Sequence, residues 1–221
     1  MALATERVER IAAGRRVALL DAGCETGLLT VALARAHPDW DIVAVDLNDA
    51  SLDSTQRRVA GSGATNVRVD RADLTTDLGS AVYDVVVALE CLAEIPRDDL
   101  ALQRMATALR PEGRLVLHVP LAGWRPVLPG GATHWKGNVR GGYSPRELDE
   151  KLAAAGLRVV HRELTTHAVV HLAQELREFV KLRPLKVRML LLPVSVAAVW
   201  LERHGLRWGR PRGQIVEAGR A

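Results

Sequence analysis

Two hydrophobic patterns alternate along the first 165 residues. Short unbroken apolar runs stop at an acidic or turn residue, and longer stretches repeat their apolar positions with helical spacing. Val17-Ala-Leu-Leu20 is the first run and ends in Asp21-Ala-Gly23; Asp41-Ile-Val-Ala-Val45 is the second and ends at Asp46. Asn66 to Asp70, Val82 to Leu89, Arg114 to Val119 and Leu157 to Leu164 read as four more strands, and Gln214-Ile-Val-Glu217 as a weak last one. Leu28 to Ala36 has helical spacing and stops at His37-Pro38. Asp99 to Arg110 places Leu100, Leu102, Met105 and Leu109 on a helix that closes at Pro111-Glu-Gly113. Ser144-Pro-Arg-Glu147 is a capping box with Pro145 at the first helical position, and that helix ends before Gly156. Unbroken apolar strands separated by helices predict an α/β fold, a mostly parallel sheet covered by helices on both faces.

Length and composition narrow this further. The chain has 221 residues, 48% hydrophobic and 25% charged, which excludes a collagenous or disordered polymer and suits a single domain over 1–221. Residues 15–165 form its core, and 171–210 read as a helical insertion ahead of the last strand, with a break at Arg183-Pro184. The net charge of +4 is unevenly distributed: residues 1–170 carry 20 Lys/Arg against 22 Asp/Glu, and residues 171–221 carry 10 against 4. Two cysteines, Cys24 and Cys91, make no disulfide framework and suit a reducing, cytoplasmic setting. The N-terminus has no signal-like apolar core, and the most apolar stretch, Met189 to Leu201, is too short to span a bilayer. Lys181, Arg183, Lys186 and Arg188 precede it, so 181–204 is a candidate for peripheral membrane contact, against a lid over the site or a homodimer contact. The basic residues are interleaved with Leu and Val, which argues against nucleic acid as a partner.

In open parallel sheets ligands sit beyond the carboxyl ends of the strands. Asp21, Asp46 and Asp73 fall there, and Gly23-Cys24-Glu25-Thr26-Gly27 makes the turn into the first of these helices. A dinucleotide site would want G-x-G-x-x-G; only Gly23 and Gly27 are present, and Asp21 and Glu25 would repel a pyrophosphate. S-adenosylmethionine has no phosphate and carries a sulfonium and an ammonium, so it is the better match. Asp21 would lie near the ammonium, Asp46 would accept both ribose hydroxyls, and Asp73 would accept from the adenine amino group.

Four pieces in order, Val17-Ala-Leu-Leu-Asp-Ala-Gly-Cys-Glu-Thr-Gly27, Val43-Ala-Val-Asp-Leu47, Arg71-Ala-Asp73 and Tyr83-Asp-Val-Val-Val-Ala-Leu-Glu-Cys-Leu92, resemble a class I S-adenosylmethionine-dependent methyltransferase over residues 15–165. The resemblance implies a Rossmann-like, seven-stranded sheet whose last strand is antiparallel. It implies Asp21, Gly23, Cys24 and Gly27 at the methionine end, Asp46 and Leu47 at the ribose, and Asp73 with Leu74 at the adenine. The chain departs from the pattern in having Glu25 where glycine is usual, and in lacking the histidines that relatives carry after Glu90-Cys-Leu-Ala-Glu94 and before Val139-Arg-Gly-Gly-Tyr143. About 15 residues precede the first strand, fewer than is common.

Methyl transfer is a displacement at an activated carbon, so the protein must align the acceptor and, for an oxygen acceptor, take its proton. Glu90 follows the fourth strand and is a candidate both to contact the cofactor and to act in catalysis. His134, Arg140 and Tyr143 in the long loop after the fifth strand are the other catalytic candidates; His118 reads as a strand-end residue satisfied by hydrogen bonds. No cluster has metal-ligand spacing, and no metal is expected. The expected activity is methylation, most naturally at oxygen, of a small-molecule or lipid-linked acceptor. The rivals are a methyltransferase-like binding protein without activity and an RNA methyltransferase.

Overall fold

The computed structural model describes residues 1–124, 137–165 and 209–221, with isolated positions between 197 and 205. The elements run α1 (Ala2–Ala12), β1 (Ala18–Ala22), α2 (Leu28–Ala36), β2 (Asp41–Asp46), α3 (Asp49–Ser62), β3 (Val67–Arg71), β4 (Tyr83–Leu89), α4 (Asp98–Ala108), β5 (Leu109–Pro120), α5 (Pro145–Ala154), β6 (Leu157–Thr165) and β7 (Gly213–Arg220). Seven strands form one sheet in the order β3-β2-β1-β4-β5-β7-β6. β1 to β5 pair in parallel, whereas β7 runs antiparallel between β5 and β6. This is the Rossmann-like arrangement expected, with the antiparallel strand next to the β6 edge.

Burial explains why the central strands read as unbroken apolar runs. Alternate residues serve two cores. Leu20, Val86, Leu115, Leu117 and Val216 pack against α4 and α5 on one face. Leu19, Ile42, Val85, Val87, Val116 and Ile215 pack against α1 and α2 on the other. With both faces covered, no position along β4 from Val85 to Ala88 meets water.

The structure adds elements that the pattern did not reveal. Helix α1 occupies the segment before β1 and buries Ala4, Arg7, Val8 and Ala12. Arg7 is the reason for the missed stripe: it is a charged residue on the inward face, neutralised there by Glu163 of β6 and Glu217 of β7. Helix α3 is polar, and buries only Leu52 and Thr55; its entry is set by Asn48, whose side chain accepts from the backbone N–H groups of Ala50 and Ser51. Pro111-Glu-Gly113 does not close α4 as expected. It lies inside β5, which begins at Leu109 opposite Tyr83 and then shifts register before Arg114 pairs with Val85. The shift lets β5 carry a proline, which donates no ladder hydrogen bond. The helical insertion expected over 171–210 and its proposed surface contact at 181–204 lie almost wholly outside the described residues. No helix among the described residues is long and apolar enough to cross a membrane.

Candidate active site

The carboxyl ends of β1, β2 and β4 meet at one edge of the sheet. After β1, the backbone N–H groups of Gly23 and Cys24 both donate to the carbonyl of Val45, which ties the turn to β2. Gly23 has φ +79°, and a Cβ there would stand 2.7 Å from Cys91 Cβ, so the turn and the chain leaving β4 are in direct contact. Gly27 likewise has φ +71° and a Cβ would meet Thr55 of α3 at 2.7 Å. Both glycines are needed for closeness as much as for backbone freedom. Glu25 occupies a left-handed conformation, φ +49°. The turn requires this geometry whether or not glycine supplies it, which is why the family pattern survives the substitution. In that conformation Glu25 N–H donates to Asp46 Oδ2 at 2.9 Å.

Asp46 stands at the end of β2 with Oδ1 accepting from Asn48 N–H. Two backbone donors therefore fix its carboxylate before any ligand arrives. Leu47 beside it is 53% exposed, an apolar side chain left uncovered at the strand ends. Asp21 is 3% exposed and accepts from the Thr30 hydroxyl at 2.5 Å. Burial, opposed by the Thr30 hydrogen bond and helped by the nearby Asp46 charge, pushes its pKa up to about 6. Asp73 closes a turn by accepting from the Thr75 N–H and hydroxyl, which holds its carboxyl below the usual range.

Glu90 follows β4 with φ +63°, a second non-glycine residue held in the left-handed region. Its backbone N–H donates to His118 O, and its half-exposed carboxylate pairs with His118 Nδ1. Glu94 follows on the 3-10 turn Leu92–Glu94, and its pKa is raised by burial and then by Asp46, Glu25 and Glu90. Five carboxylates thus face one small region, and among the described residues Asp21, Glu25, Asp46 and Glu94 form no ion pair. Such a cluster is costly alone and suits a cationic ligand. A sulfonium and ammonium fit this edge, a pyrophosphate does not.

Other expected site residues are placed differently. Cys24 is buried against the Thr55 hydroxyl, and Cys91 donates to Ala22 O; burial pushes the two thiols to about 11 and about 12. They are reduced and separately partnered. Leu74, expected at the adenine, turns into the core with Val43 and Met105 and is 6% exposed. Tyr143 and Arg140, expected in catalysis, take part in a network beside the turn after β4. Tyr143 is fully buried, and its hydroxyl spans Leu92 O and Asp98 Oδ2. Burial pushes that phenol far above its usual range. Arg140 lies over the Tyr143 ring and pairs with Asp98 and Glu147. Asp98, overlooked in the sequence, collects Arg140, Lys151 and Tyr143; burial would raise it, but these donors hold it below the usual range. Its signal was faint, one more Asp at a helix start. This network anchors the chain at 137–143 onto the turn after β4, where Val139 N–H donates to Ala93 O. His134 lies outside the described residues. No group of metal-binding side chains occurs among the described residues.

Fold and site together define a class I nucleoside-cofactor enzyme built around a cationic ligand. A methyltransferase-domain family profile matches residues 20–115. An O-methyltransferase of ubiquinone biosynthesis from Marinobacter nauticus is 31% identical over 179 residues, covering 71% of this chain and 69% of that protein. The nocamycin O-methyltransferase of Saccharothrix syringae is 36% identical over 109 residues, covering 48% of this chain but only 38% of that protein. Among solved structures, an O-methyltransferase from a trans-AT polyketide synthase multienzyme of Brevibacillus brevis, in complex with S-adenosyl-L-homocysteine, superposes with a TM-score of 0.66 at 18% identity, covering 98% of this chain and 72% of that chain. The chain belongs to the class I S-adenosylmethionine-dependent methyltransferases.

Proposed function

We propose that this methyltransferase acts on a hydroxyl oxygen of a small-molecule or lipid-linked acceptor, and that Glu90 takes up the hydroxyl proton. The observation that carries the reading is the placement of Glu90. It is half exposed at the end of β4, held in a left-handed backbone conformation, and borders the carboxylate cluster. The O-methyltransferases similar to this chain favour oxygen as the accepting atom. When bound, S-adenosylmethionine supplies a methyl carbon already activated by its sulfonium.

The protein's own residues then have three tasks. Asp21, Glu25, Asp46 and Glu94 attract and hold positive charge at the sheet edge. Asp46, fixed by two backbone donors, is shaped to accept paired ribose hydroxyls, with Leu47 offering apolar cover. Glu90 orients the acceptor hydroxyl and removes its proton as the oxygen gains the methyl carbon. Contact of 181–204 with a membrane surface belongs to the same reading, because a lipid-linked acceptor is met there, and cytoplasmic residence is compatible with it.

The test is turnover on a panel of hydroxylated aromatic and isoprenoid acceptors, read by mass. Glu90→Gln should lower kcat about 10²-fold or more while cofactor affinity falls only a few-fold. Transfer to nitrogen or carbon only, or full activity in Glu90→Gln, would overturn the proposal.

A further inference from the structure

The proton-accepting role of Glu90 depends on how its carboxylate is held, and the structure shows a chain of side chains doing this across three strand ends. Glu90 leaves β4, His118 stands near the end of β5, and Thr165 ends β6. His118 Nδ1 pairs with Glu90 Oε1, and His118 Nε2 lies 2.7 Å from Thr165 Oγ1. Thr165 is buried, the His118 side chain is 19% exposed and that of Glu90 51%, so exposure rises along the chain toward Glu90.

A third residue shows that the space is shaped for this chain. Gly213, the first residue of β7, faces both partners. A Cβ there would lie 2.8 Å from Thr165 Oγ1 and 3.0 Å from His118 Cε1. Any side chain at 213 would displace the pair. β7 is the antiparallel strand inserted between β5 and β6, so a residue with a side chain at that register would push apart the two strands that the His118–Thr165 bond joins.

The proton arrangement follows from donor and acceptor chemistry. An ionised carboxylate only accepts, so Nδ1 carries the proton while it is bonded to Glu90, a bond that a ring held at that end alone would make only part of the time. In a neutral ring Nε2 is then the acceptor, and the Thr165 hydroxyl must be the donor. We infer that Thr165 and His118 form a positioning relay that fixes the Nδ1–H tautomer and thereby aims the Glu90 carboxylate at the acceptor hydroxyl. The inference rests on the reading of Glu90 as proton acceptor. No proton needs to leave through His118; one Glu90 oxygen is committed to Nδ1–H, which leaves the other for the acceptor hydroxyl. Among the described residues, charged groups near the relay include Glu94, the Met1 ammonium, which lies within electrostatic reach of Glu90, Glu163 two residues before Thr165 on the same strand face, and Arg212, whose backbone N–H donates to Thr165 O.

Two measurements on the full-length protein decide it. The first is the tautomer of His118 from long-range ¹H–¹⁵N spectra of imidazole-labelled protein with S-adenosyl-L-homocysteine added. The Nδ1–H form is expected in the wild type, a mixture in Thr165→Val, and the Nδ1–H form again in Thr165→Ser. The second is steady-state methylation of the hydroxylated acceptor that the wild type turns over fastest in the panel above. Thr165→Val should lose about 5- to 10-fold in kcat and recover in Thr165→Ser. His118→Leu should lose 10- to 100-fold, and His118→Asn, whose amide offers a donor near the Nδ1 position, should recover part of it. KM and cofactor affinity should stay within about 2-fold throughout. An Nε2–H tautomer in the wild type, or Thr165→Val leaving both tautomer and kcat unchanged, overturns the relay. A wild type that binds cofactor but methylates no hydroxyl refutes the oxygen-acceptor reading instead, and the spectra still decide the relay.

Discussion

Asp21 shows how one buried side chain can carry both a cost and a function. It is 3% exposed with a hydroxyl as its hydrogen-bond donor, and its pKa stands at about 6 because burial disfavours the charge. Between about pH 4 and 6 the folded protein therefore keeps a proton that the unfolded chain has released. The stability this gives is fully present below the unfolded value and is lost as pH rises through about 6. Above pH 6 the ionised carboxylate costs roughly 2–3 kcal/mol. Asp21→Asn, which keeps an acceptor for Thr30, should be more stable than the wild type at pH 8 and no more stable at pH 4.5, as read by urea denaturation at both values. An equal difference at the two pH values would show that Asp21 is not the titrating group. The same substitution should weaken cofactor binding at pH 8 by at least 10-fold, because the ionised form exists there to meet a cation. By linkage, cofactor binding near pH 6 should release protons, visible as a buffer-dependent heat in calorimetry.

The segment from Gly137 to Tyr143 takes its place from Asp98 rather than from any regular structure. Asp98 is buried, and Arg140, Lys151 and the Tyr143 hydroxyl converge on it, joining this segment to α4 and α5. Asp98→Ala would take the carboxylate partner from Lys151 and one of two partners from each of Arg140 and the Tyr143 hydroxyl. It should cost about 3–5 kcal/mol of folding stability. Tyr143→Phe removes one donor from a buried acceptor and should cost about 1–3 kcal/mol. Both are checked by denaturation, and a loss below about 0.5 kcal/mol in Asp98→Ala would refute the anchoring role. Elements of this kind were only partly legible in the chain. Strand cores and α2 are local apolar patterns, and Leu28 to Ala36 stands at the bounds the spacing implied. Arg140 and Tyr143 were recognisable as important, but a motif does not say whether an aromatic hydroxyl points to solvent or to a buried carboxylate. Asp98 stood out only as an Asp at a helix start, because its meaning comes from residues 42, 45 and 53 positions away.

At the scale of the whole molecule, the cofactor edge is assembled from residues of β1, β2 and β4, so ligand binding should stabilise the sheet as a unit. At 100 times its dissociation constant a ligand specific for the folded state adds about 2.7 kcal/mol. For a chain of this size that corresponds to a rise of roughly 5–10 °C in Tm. Asp46→Ala should remove most of the shift produced by a fixed S-adenosylmethionine concentration in thermal scanning; an undiminished shift would place the ligand elsewhere. The sequence by itself determined the alternation of strand and helix, the two covered faces, and the acidic strand ends, because each is written in local periodicity and in the charge that a cationic ligand requires. Tertiary structure alone decided which of those residues act together. The buried Arg7 under α1, the Asp98 anchor, and the run from Glu90 through His118 to Thr165 all depend on how the strands and helices are brought together. Strand order is set by how the whole chain buries its two cores, and no local pattern carries it.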